Sequence, residues 1–292
     1  MHGENSRARG DGFRLFLLAA ALMLGASVLT ACEDEKSPSP PDTFEYVALG
    51  DSFTASGLPR AEGDCKRSNQ NYPHLIAKDH PDFTLVDVSC GGASTDDMLE
   101  SQQFRGSVRL PQFDALDEGT DLVTVSLGGN DFDVYWAFLY RCVQLASFPD
   151  RNDHPCRTAN AGRVEKKMGA IRNNLQDVLE EVGDLAPEAR VLFVGYPRLL
   201  PDNGTCPKRV PVASGDVAYV REMFGMLVAA QKAATKAAGA EYVDVFGPSK
   251  GHDICSDDPW VNDATDGPQG SYNFHPMPAH QRAVADLIEE ML

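Results

Sequence analysis

The stretch YVALGDSFT, residues 46–54, decides the fold. Its first four residues are an apolar run of the length of a buried strand, and the Gly-Asp-Ser after them is typical of a tight turn. Such a turn places the Ser52 hydroxyl at the end of the strand, where it can act as a nucleophile or cap the following helix. The stretch lacks the G-x-S-x-G pattern of the α/β-hydrolases, because Thr54 stands where the second glycine would be.

Strand-like runs alternate with helical patterns through the rest of the chain. The runs predicted as strands are residues 46–49, 84–89, 122–127, 190–194 and 242–246. The segments predicted as helices are residues 71–79, 95–103, 164–182, 215–238 and 278–292. This alternation predicts an α/β protein, a three-layer α/β/α sandwich with a five-stranded parallel sheet. Ligands bind such sheets at the carboxyl ends of the strands, so we expect the chemistry directly after each strand.

The composition limits the partners of the protein. The 292 residues include 43 Asp and Glu against 26 Lys and Arg, which gives a net charge of −17. This acidic balance argues against a protein that binds a nucleic-acid backbone. The apolar content is that of an ordinary globular protein, and we expect one domain over residues 43–292 and a monomer.

The N-terminal 42 residues have the pattern of an export signal and a tether. Arginines precede the apolar run of residues 15–30, which is shorter than the roughly 20 residues of a bilayer span. The run ends on LTAC, residues 29–32, which resembles the bacterial lipobox. We therefore expect residues 1–31 to be a lipoprotein signal peptide, Cys32 to be lipidated and residues 32–42 to be a tether. A plain secretory signal is the alternative, so the protein would be lipid-anchored to the outer face of the bacterial cell membrane or secreted.

Cys32 accounts for the odd number of cysteines, seven in all. The remaining set is even, which in an exported protein indicates three disulfides. Fifteen pairings are possible, and sequential pairing is favoured because it closes short local loops. That pairing joins Cys65 to Cys90, Cys142 to Cys156, and Cys206 to Cys255. A structural zinc site is disfavoured because no C-x-x-C pair is present, and we expect no metal and no cofactor.

Polar motifs follow three of the predicted strands, and a histidine lies near the C-terminus. GDS follows the first strand, CGGAST (residues 90–95) the second and LGGND (residues 127–131) the third, while His275 precedes the last helix. Each motif alone is a common turn. Together they provide a serine nucleophile, a glycine N–H, an asparagine amide and a base, the groups that acyl transfer requires.

These motifs resemble the SGNH hydrolase family, also called GDSL esterases and lipases, and are most similar to its actinobacterial secreted branch. The matching motifs are GDS at 50–52, CKRS at 65–68 with NYP at 71–73, CGGA at 90–93, GND at 129–131 and HP at 275–276. The resemblance implies the flavodoxin-like SGNH fold over nearly the whole domain. It also implies three sequential disulfides, in support of the pairing above.

The resemblance assigns roles to individual residues. It implies that Ser52 is the nucleophile and His275 the general base, without a cofactor. It implies an oxyanion hole formed by the backbone N–H groups of Ser52 and Gly92 and the side-chain amide of Asn130. Gly92 is chosen over its neighbour Gly91 by the spacing after the cysteine.

The chain departs from the family where an aspartate usually orients the histidine, since Tyr272 occupies that position. Some members of the branch use a backbone carbonyl instead, so we expect the Tyr272 carbonyl to accept the Nδ1 proton of His275. Asp263 and Asp266 lie upstream and are the alternative partners. We expect His280 to be a surface residue in the first turn of the last helix rather than a competing base.

The resemblance implies an ester hydrolase but leaves the ester open. Residues 132–142, after Asn130, are rich in aromatics and form either an apolar wall for an acyl chain or part of the core. Phospholipids and acetylated carbohydrates are alternative substrates. A non-catalytic surface lipoprotein that binds a lipid or glycan is the alternative from another class. Contact with a membrane is expected through the lipid anchor only.

Overall fold

The computed structural model of the protein describes residues 43–55, 63–147, 153–160, 162–265 and 272–292. The expected signal segment, the tether, Cys32 and Asp266 lie outside these ranges. The strands are β1 (Phe44–Gly50), β2 (Phe83–Asp87), β3 (Gln102–Phe104), β4 (Ser107–Arg109), β5 (Leu122–Ser126), β6 (Arg190–Val194) and β7 (Glu241–Val243). The helices are α1 (Ser52–Ala55), α2 (Tyr72–Asp79), α3 (Arg141–Ala146), α4 (Pro155–Asn160), α5 (Arg163–Leu185), α6 (Val217–Ala238) and α7 (Pro278–Glu289).

The main sheet has five parallel strands in the order β2-β1-β5-β6-β7. The chain moves outward from β1 to β2 and then returns to the other side of β1 with β5. The strand order therefore reverses between β1 and β5, and a crevice is expected at their carboxyl ends. The predicted α/β fold with a five-stranded parallel sheet is confirmed.

Helices cover both faces of this sheet, and the alternation along β1 shows why. Val47 and Leu49 point to one face and pack in a core with apolar residues of α5 and α6. Tyr46 and Ala48 point to the other face and pack with α2 and α7. Successive strand residues face opposite sides, so a strand that is buried on both faces needs a continuous apolar run. No helix within the described ranges is long and apolar enough to cross a bilayer.

One predicted helix, over residues 95–103, is wrong. The segment forms a single 3₁₀ turn, Asp96–Met98, and then enters the antiparallel hairpin of β3 and β4. The Asp97 carboxylate accepts hydrogen bonds from the Ser94 N–H at 2.8 Å and the Ser94 hydroxyl at 2.9 Å. These bonds resemble a capping box, which fixes the start of a helical turn but does not extend it. The hairpin also holds the loop that follows β2, because Gln102 Nε2 donates to the Gly91 carbonyl at 3.0 Å.

The structure contains three sequential disulfides, Cys65–Cys90, Cys142–Cys156 and Cys206–Cys255. The first fixes the loop after β2, and the Gly91 N–H donates to the Cys65 carbonyl at 2.8 Å. Each bridge is expected to contribute about 3–4 kcal/mol by restricting the unfolded chain.

Candidate active site

Ser52 lies in a turn whose first residue, Gly50, has to be a glycine. Gly50 ends β1 with a φ of +152°, and a Cβ there would lie 2.5 Å from the Thr54 hydroxyl oxygen. The buried side chain of Gln112 fixes this glycine, because its oxygen accepts the Gly50 N–H at 2.8 Å and its amide donates to the Gly50 carbonyl at 3.0 Å. Ser52 is thereby held at the carboxyl end of β1, next to the reversal in strand order.

His275 comes from the opposite end of the chain to meet Ser52. Its Nε2 atom lies 2.9 Å from Ser52 Oγ, and its Nδ1 atom lies 2.8 Å from the Asn273 carbonyl oxygen. A carbonyl only accepts, so Nδ1 carries the proton and Nε2 is left to accept the serine proton. Burial lowers the pKa of His275 below 6.5, and the bond to the Asn273 carbonyl partly raises it. The imidazole is therefore neutral at pH 7.

The expected partner of Nδ1, the Tyr272 carbonyl, is wrong by one residue. The Tyr272 carbonyl accepts instead from the side-chain amide of Asn262 at 3.2 Å. Phe274 adopts a left-handed conformation, with a φ of +56°, and bends the chain directly before His275. This bend turns the Asn273 carbonyl back toward the imidazole, which the spacing of residues alone does not reveal.

Asp263, an alternative orienting residue, is engaged elsewhere. Its carboxylate accepts from the Thr265 N–H at 2.8 Å and from the Thr265 hydroxyl at 2.6 Å. Its carbonyl accepts the Phe274 N–H at 3.1 Å, so it supports the loop through its backbone. The other alternative, Asp266, lies outside the described residues.

Gly92 and Asn130 line the same cleft as Ser52 and His275. Gly92 is in a left-handed conformation, with a φ of +82°, and within the described ranges its N–H has no hydrogen-bond acceptor. The Asn130 amide donates one hydrogen to the Ala93 carbonyl at 2.8 Å, which fixes its orientation and leaves its second hydrogen for another acceptor. The donors expected for an oxyanion are therefore brought to one place.

A buried carboxyl connects the serine turn to the asparagine loop. The Asp51 carboxylate accepts the Phe53 N–H at 2.8 Å and the Tyr196 hydroxyl. Tyr196 in turn accepts the Gly129 N–H at 3.1 Å, directly before Asn130. Burial raises the pKa of Asp51 to about 7, and the bond from Tyr196 opposes that rise. Asp51 and Tyr196 thus link the two halves of the site.

The cleft has a volume of about 420 Å³. Its aromatic wall comes from the segment after Asn130, which lies partly in the core and partly along the cleft. Phe138 and Leu139 are fully buried in the core, whereas Trp136 lines the cleft with 45% of its surface exposed. Within the described ranges, no group of three or more His, Cys, Asp or Glu side chains is arranged to hold a metal ion.

His280 is buried, and the expectation of a surface position is wrong. It packs edge-on against Phe53, with ring centroids 6.2 Å apart, and against Trp260, at 6.3 Å. Neither ring nitrogen has a hydrogen-bond partner among the described residues. Burial lowers its pKa to about 3. A helix that packs against a sheet buries one face even in its first turn, which encloses this histidine.

His280 is expected to make the protein less stable in acid. Its pKa is about 3 when folded and about 6.5 when unfolded, so the unfolded chain binds the extra proton. Its effect on the unfolding free energy is absent above pH 6.5 and grows by about 1.4 kcal/mol per pH unit below it, until about pH 3. We expect the loss of unfolding free energy between pH 7 and pH 5 to be about 2 kcal/mol smaller in His280→Leu than in wild type.

Urea unfolding at the two pH values measures this effect. His154→Leu, at an exposed histidine, is the matched control and should retain the wild-type dependence on pH. Equal pH dependence in wild type and His280→Leu would contradict the account of His280.

Several residues of the site were not predicted from the sequence. They are Gln112, Tyr135, Tyr140, Tyr196, Asn273 and Gln281. Gln281 of α7 donates to the Phe53 carbonyl at 3.0 Å and accepts the Tyr72 N–H at 2.8 Å, so it joins the serine turn to the last helix. Most of these residues bind backbone groups of the motifs or of the loop before His275, whereas Asn273 binds the imidazole itself. Only the aromatic segment gave a signal in the sequence.

Comparisons with known proteins identify the family of the chain. Residues 48–283 match the model of the GDSL-like Lipase/Acylhydrolase family. Lipase 2 of Streptomyces coelicolor is 37% identical over 241 residues, which cover 80% of this chain and 80% of that protein. Lipase 1 of the same organism is 30% identical over 92% of this chain and 94% of that protein.

Solved structures agree as well. The phospholipase A1 of Streptomyces albidoflavus NA297 superposes with a TM-score of 0.71 at 26% identity, over 86% of this chain and all of that one. The extracellular lipase of Streptomyces rimosus gives a TM-score of 0.69 at 26% identity, over 85% of this chain and all of that one. By sequence and by fold, the chain belongs to the GDSL-like lipase/acylhydrolase family and is an ester hydrolase.

Proposed function

We propose that the protein hydrolyses carboxylic esters through a covalent acyl-enzyme on Ser52. The observation that carries this proposal is the 2.9 Å contact between Ser52 Oγ and His275 Nε2, with Nδ1 held by a carbonyl. A neutral imidazole in this tautomer is the general base that a serine hydroxyl needs at neutral pH. The pair lies where the strand order of the sheet reverses, the usual place for ligands in this architecture.

The reaction has two halves. His275 Nε2 takes the Ser52 proton while Oγ bonds to the carbonyl carbon of the ester. The tetrahedral intermediate then collapses, the bond to the alkoxy group breaks, and the imidazolium returns its proton to the leaving alcohol. In the second half, water attacks the acyl-serine with His275 as base again, and the acid is released.

The negative charge that develops on the carbonyl oxygen needs donors placed in advance. We assign this role to the Ser52 and Gly92 N–H groups and to the Asn130 amide, which share the cleft. The side-chain amide is held by Ala93, and the Gly92 loop is held by the disulfide and Gln102. Donors fixed in this manner need no rearrangement during the reaction. Each typically lowers the activation barrier by about 3 kcal/mol.

The walls of the cleft suggest where the ester lies. Trp136 and Tyr140 offer apolar surface beside the serine, and we assign them to the acyl group of the substrate. Relatives named lipase, esterase and phospholipase A1 support an acyl ester. Export is supported by the N-terminal signal pattern and by the relative described as an extracellular lipase, and lipid attachment at Cys32 is our further proposal.

Labelling with a fluorophosphonate distinguishes a hydrolase from a lipid-binding lipoprotein on the same scaffold. We expect Ser52 Oγ to displace fluoride from phosphorus, and peptide mass spectrometry should place the phosphonate on Ser52. Labelling should fall by more than a hundredfold in His275→Ala, since the serine loses its base. A protein that binds esters but neither hydrolyses them nor takes up the label would contradict the proposal.

A further inference from the structure

The segment that follows Asn130 directs two phenols at the loop that carries His275. The Tyr135 hydroxyl donates to the Phe274 carbonyl at 2.8 Å, and the Tyr140 hydroxyl donates to the Asn273 carbonyl at 2.7 Å. These are the carbonyls of the two residues directly before the histidine. One of them is also the acceptor of the His275 Nδ1 proton.

A π-helical turn explains how both phenols reach the same loop. In a regular α-helix, residues five apart point about 140° away from each other. Here the turn Trp136–Tyr140 is wider, and the Arg141 N–H donates to the Trp136 carbonyl, five residues earlier. The wider turn brings Tyr135 and Tyr140 to one side, with ring centroids 6.1 Å apart. Such turns are rare and frequently mark functional sites.

The two phenols hold a strained backbone. Phe274 has a φ of +56°, which for a bulky residue costs on the order of 1–2 kcal/mol. The Tyr135 hydroxyl binds its carbonyl, and the Tyr140 ring packs edge-on against its ring, with centroids 5.2 Å apart. The conformation of Phe274 turns the Asn273 carbonyl toward His275. The strained backbone is therefore needed to orient the imidazole.

Tyr140 also presents an oxygen to the imidazole. Its hydroxyl oxygen lies 3.4 Å from His275 Nδ1, beside the Asn273 carbonyl oxygen at 2.8 Å. Because the phenol proton is donated to Asn273, a lone pair remains toward the ring. Burial raises the pKa of Tyr140 well above its usual value, so the phenol stays a neutral donor. Two oxygens therefore face the nitrogen that carries positive charge when His275 takes the serine proton.

We propose that Tyr135 and Tyr140 are positioning residues that hold the Asn273 carbonyl against His275 and together replace the aspartate of a catalytic triad. The inference rests on the proposed function of Ser52 and His275. Besides Ser52, the imidazole contacts the Tyr140 hydroxyl, and the Tyr272 ring packs edge-on against it. Within the described ranges no carboxylate is hydrogen-bonded to it, and Nδ1 faces the Asn273 carbonyl and the Tyr140 hydroxyl.

Tyr140→Phe tests the proposal because it keeps the ring and removes only the hydroxyl. We expect kcat for p-nitrophenyl butyrate to fall about tenfold, with KM within about twofold of wild type. The acid limb of kcat/KM should shift to lower pH, since the imidazolium loses a stabilising oxygen. Tyr135→Phe should lower kcat about threefold or more by loosening Phe274. A merely structural role would leave the pH profile unchanged.

Tyr242→Phe is the matched control. Its hydroxyl is also buried but has no hydrogen-bond partner among the described residues, so its removal should leave kcat and the pH profile unchanged. Thermal unfolding shows whether each variant is folded. If Tyr140→Phe does not fold, Tyr135→Phe still tests the proposal. Wild-type kcat and pH profiles in the folded tyrosine variants would overturn the positioning role. Wild-type activity in Ser52→Ala would instead overturn the proposed function, so the two failures are distinguishable.

Discussion

Ser52→Ala is expected to lower kcat/KM for p-nitrophenyl butyrate by about 10⁵-fold, the largest effect of any single substitution in this protein. The variant keeps the oxyanion donors and the cleft but has no atom that can form the acyl-enzyme. The fold should remain, because the serine turn is held by Gln112 on Gly50 and by Gln281 on Phe53. Residual hydrolysis should reflect water attacking a bound ester beside a neutral His275.

Ser94→Ala is the matched control for that loss. Ser94 lines the same cleft, and its hydroxyl binds Asp97 rather than His275. We expect activity within about threefold of wild type, because the nearby loop also keeps its backbone bond to Asp97. Ser52→Ala activity above about one per cent of wild type would contradict the assignment of the nucleophile.

His275→Ala is expected to lower kcat/KM by about 10⁴-fold, because the serine hydroxyl then has no base and the leaving alcohol no acid. The substitution leaves a space beside Ser52 Oγ of the size of an imidazole. Added imidazole should therefore restore part of the activity of His275→Ala and none of Ser52→Ala. Equal behaviour of the two variants toward imidazole would contradict the role of His275.

Two further measurements test how His275 works. The base acts when neutral, and its pKa lies below 6.5 because of burial, so kcat/KM should stay high down to that pKa and fall only below it.

Asp263→Asn should retain activity within about threefold, since its carboxylate binds Thr265 and a carbonyl orients the imidazole. A thousandfold loss in Asp263→Asn, or an acid limb well above pH 6.5, would contradict this arrangement.

The sequence predicted the parallel sheet because its strands are buried on both faces and therefore appear as continuous apolar runs. It predicted Ser52, Gly92, Asn130 and His275 because each lies in a short motif at the end of a strand or the start of the last helix. The reversal of strand order between β1 and β5 then explains why GDS and GND meet.

What could not be predicted depends on backbone direction and on contacts between distant segments. His275 binds the Asn273 carbonyl rather than that of Tyr272 because Phe274 adopts a left-handed conformation. Phenylalanine rarely adopts this conformation, so the sequence does not predict it. The π turn that aligns Tyr135 with Tyr140 has no pattern of its own. His280 was misplaced because a polar residue in a first turn usually faces solvent, whereas here it fills a gap between Phe53 and Trp260.

The acyl-enzyme itself is the most direct test of the central claim. Wild-type protein and Ser52→Ala are mixed with p-nitrophenyl butyrate, quenched in acid within milliseconds to seconds, digested and mapped by mass spectrometry. We expect the wild type to carry one butyryl group on Ser52 during turnover, with a burst of nitrophenol equal to the enzyme concentration when deacylation is slower than acylation. Steady hydrolysis with a butyryl group on another residue, or persisting at the wild-type rate in Ser52→Ala, would contradict the account.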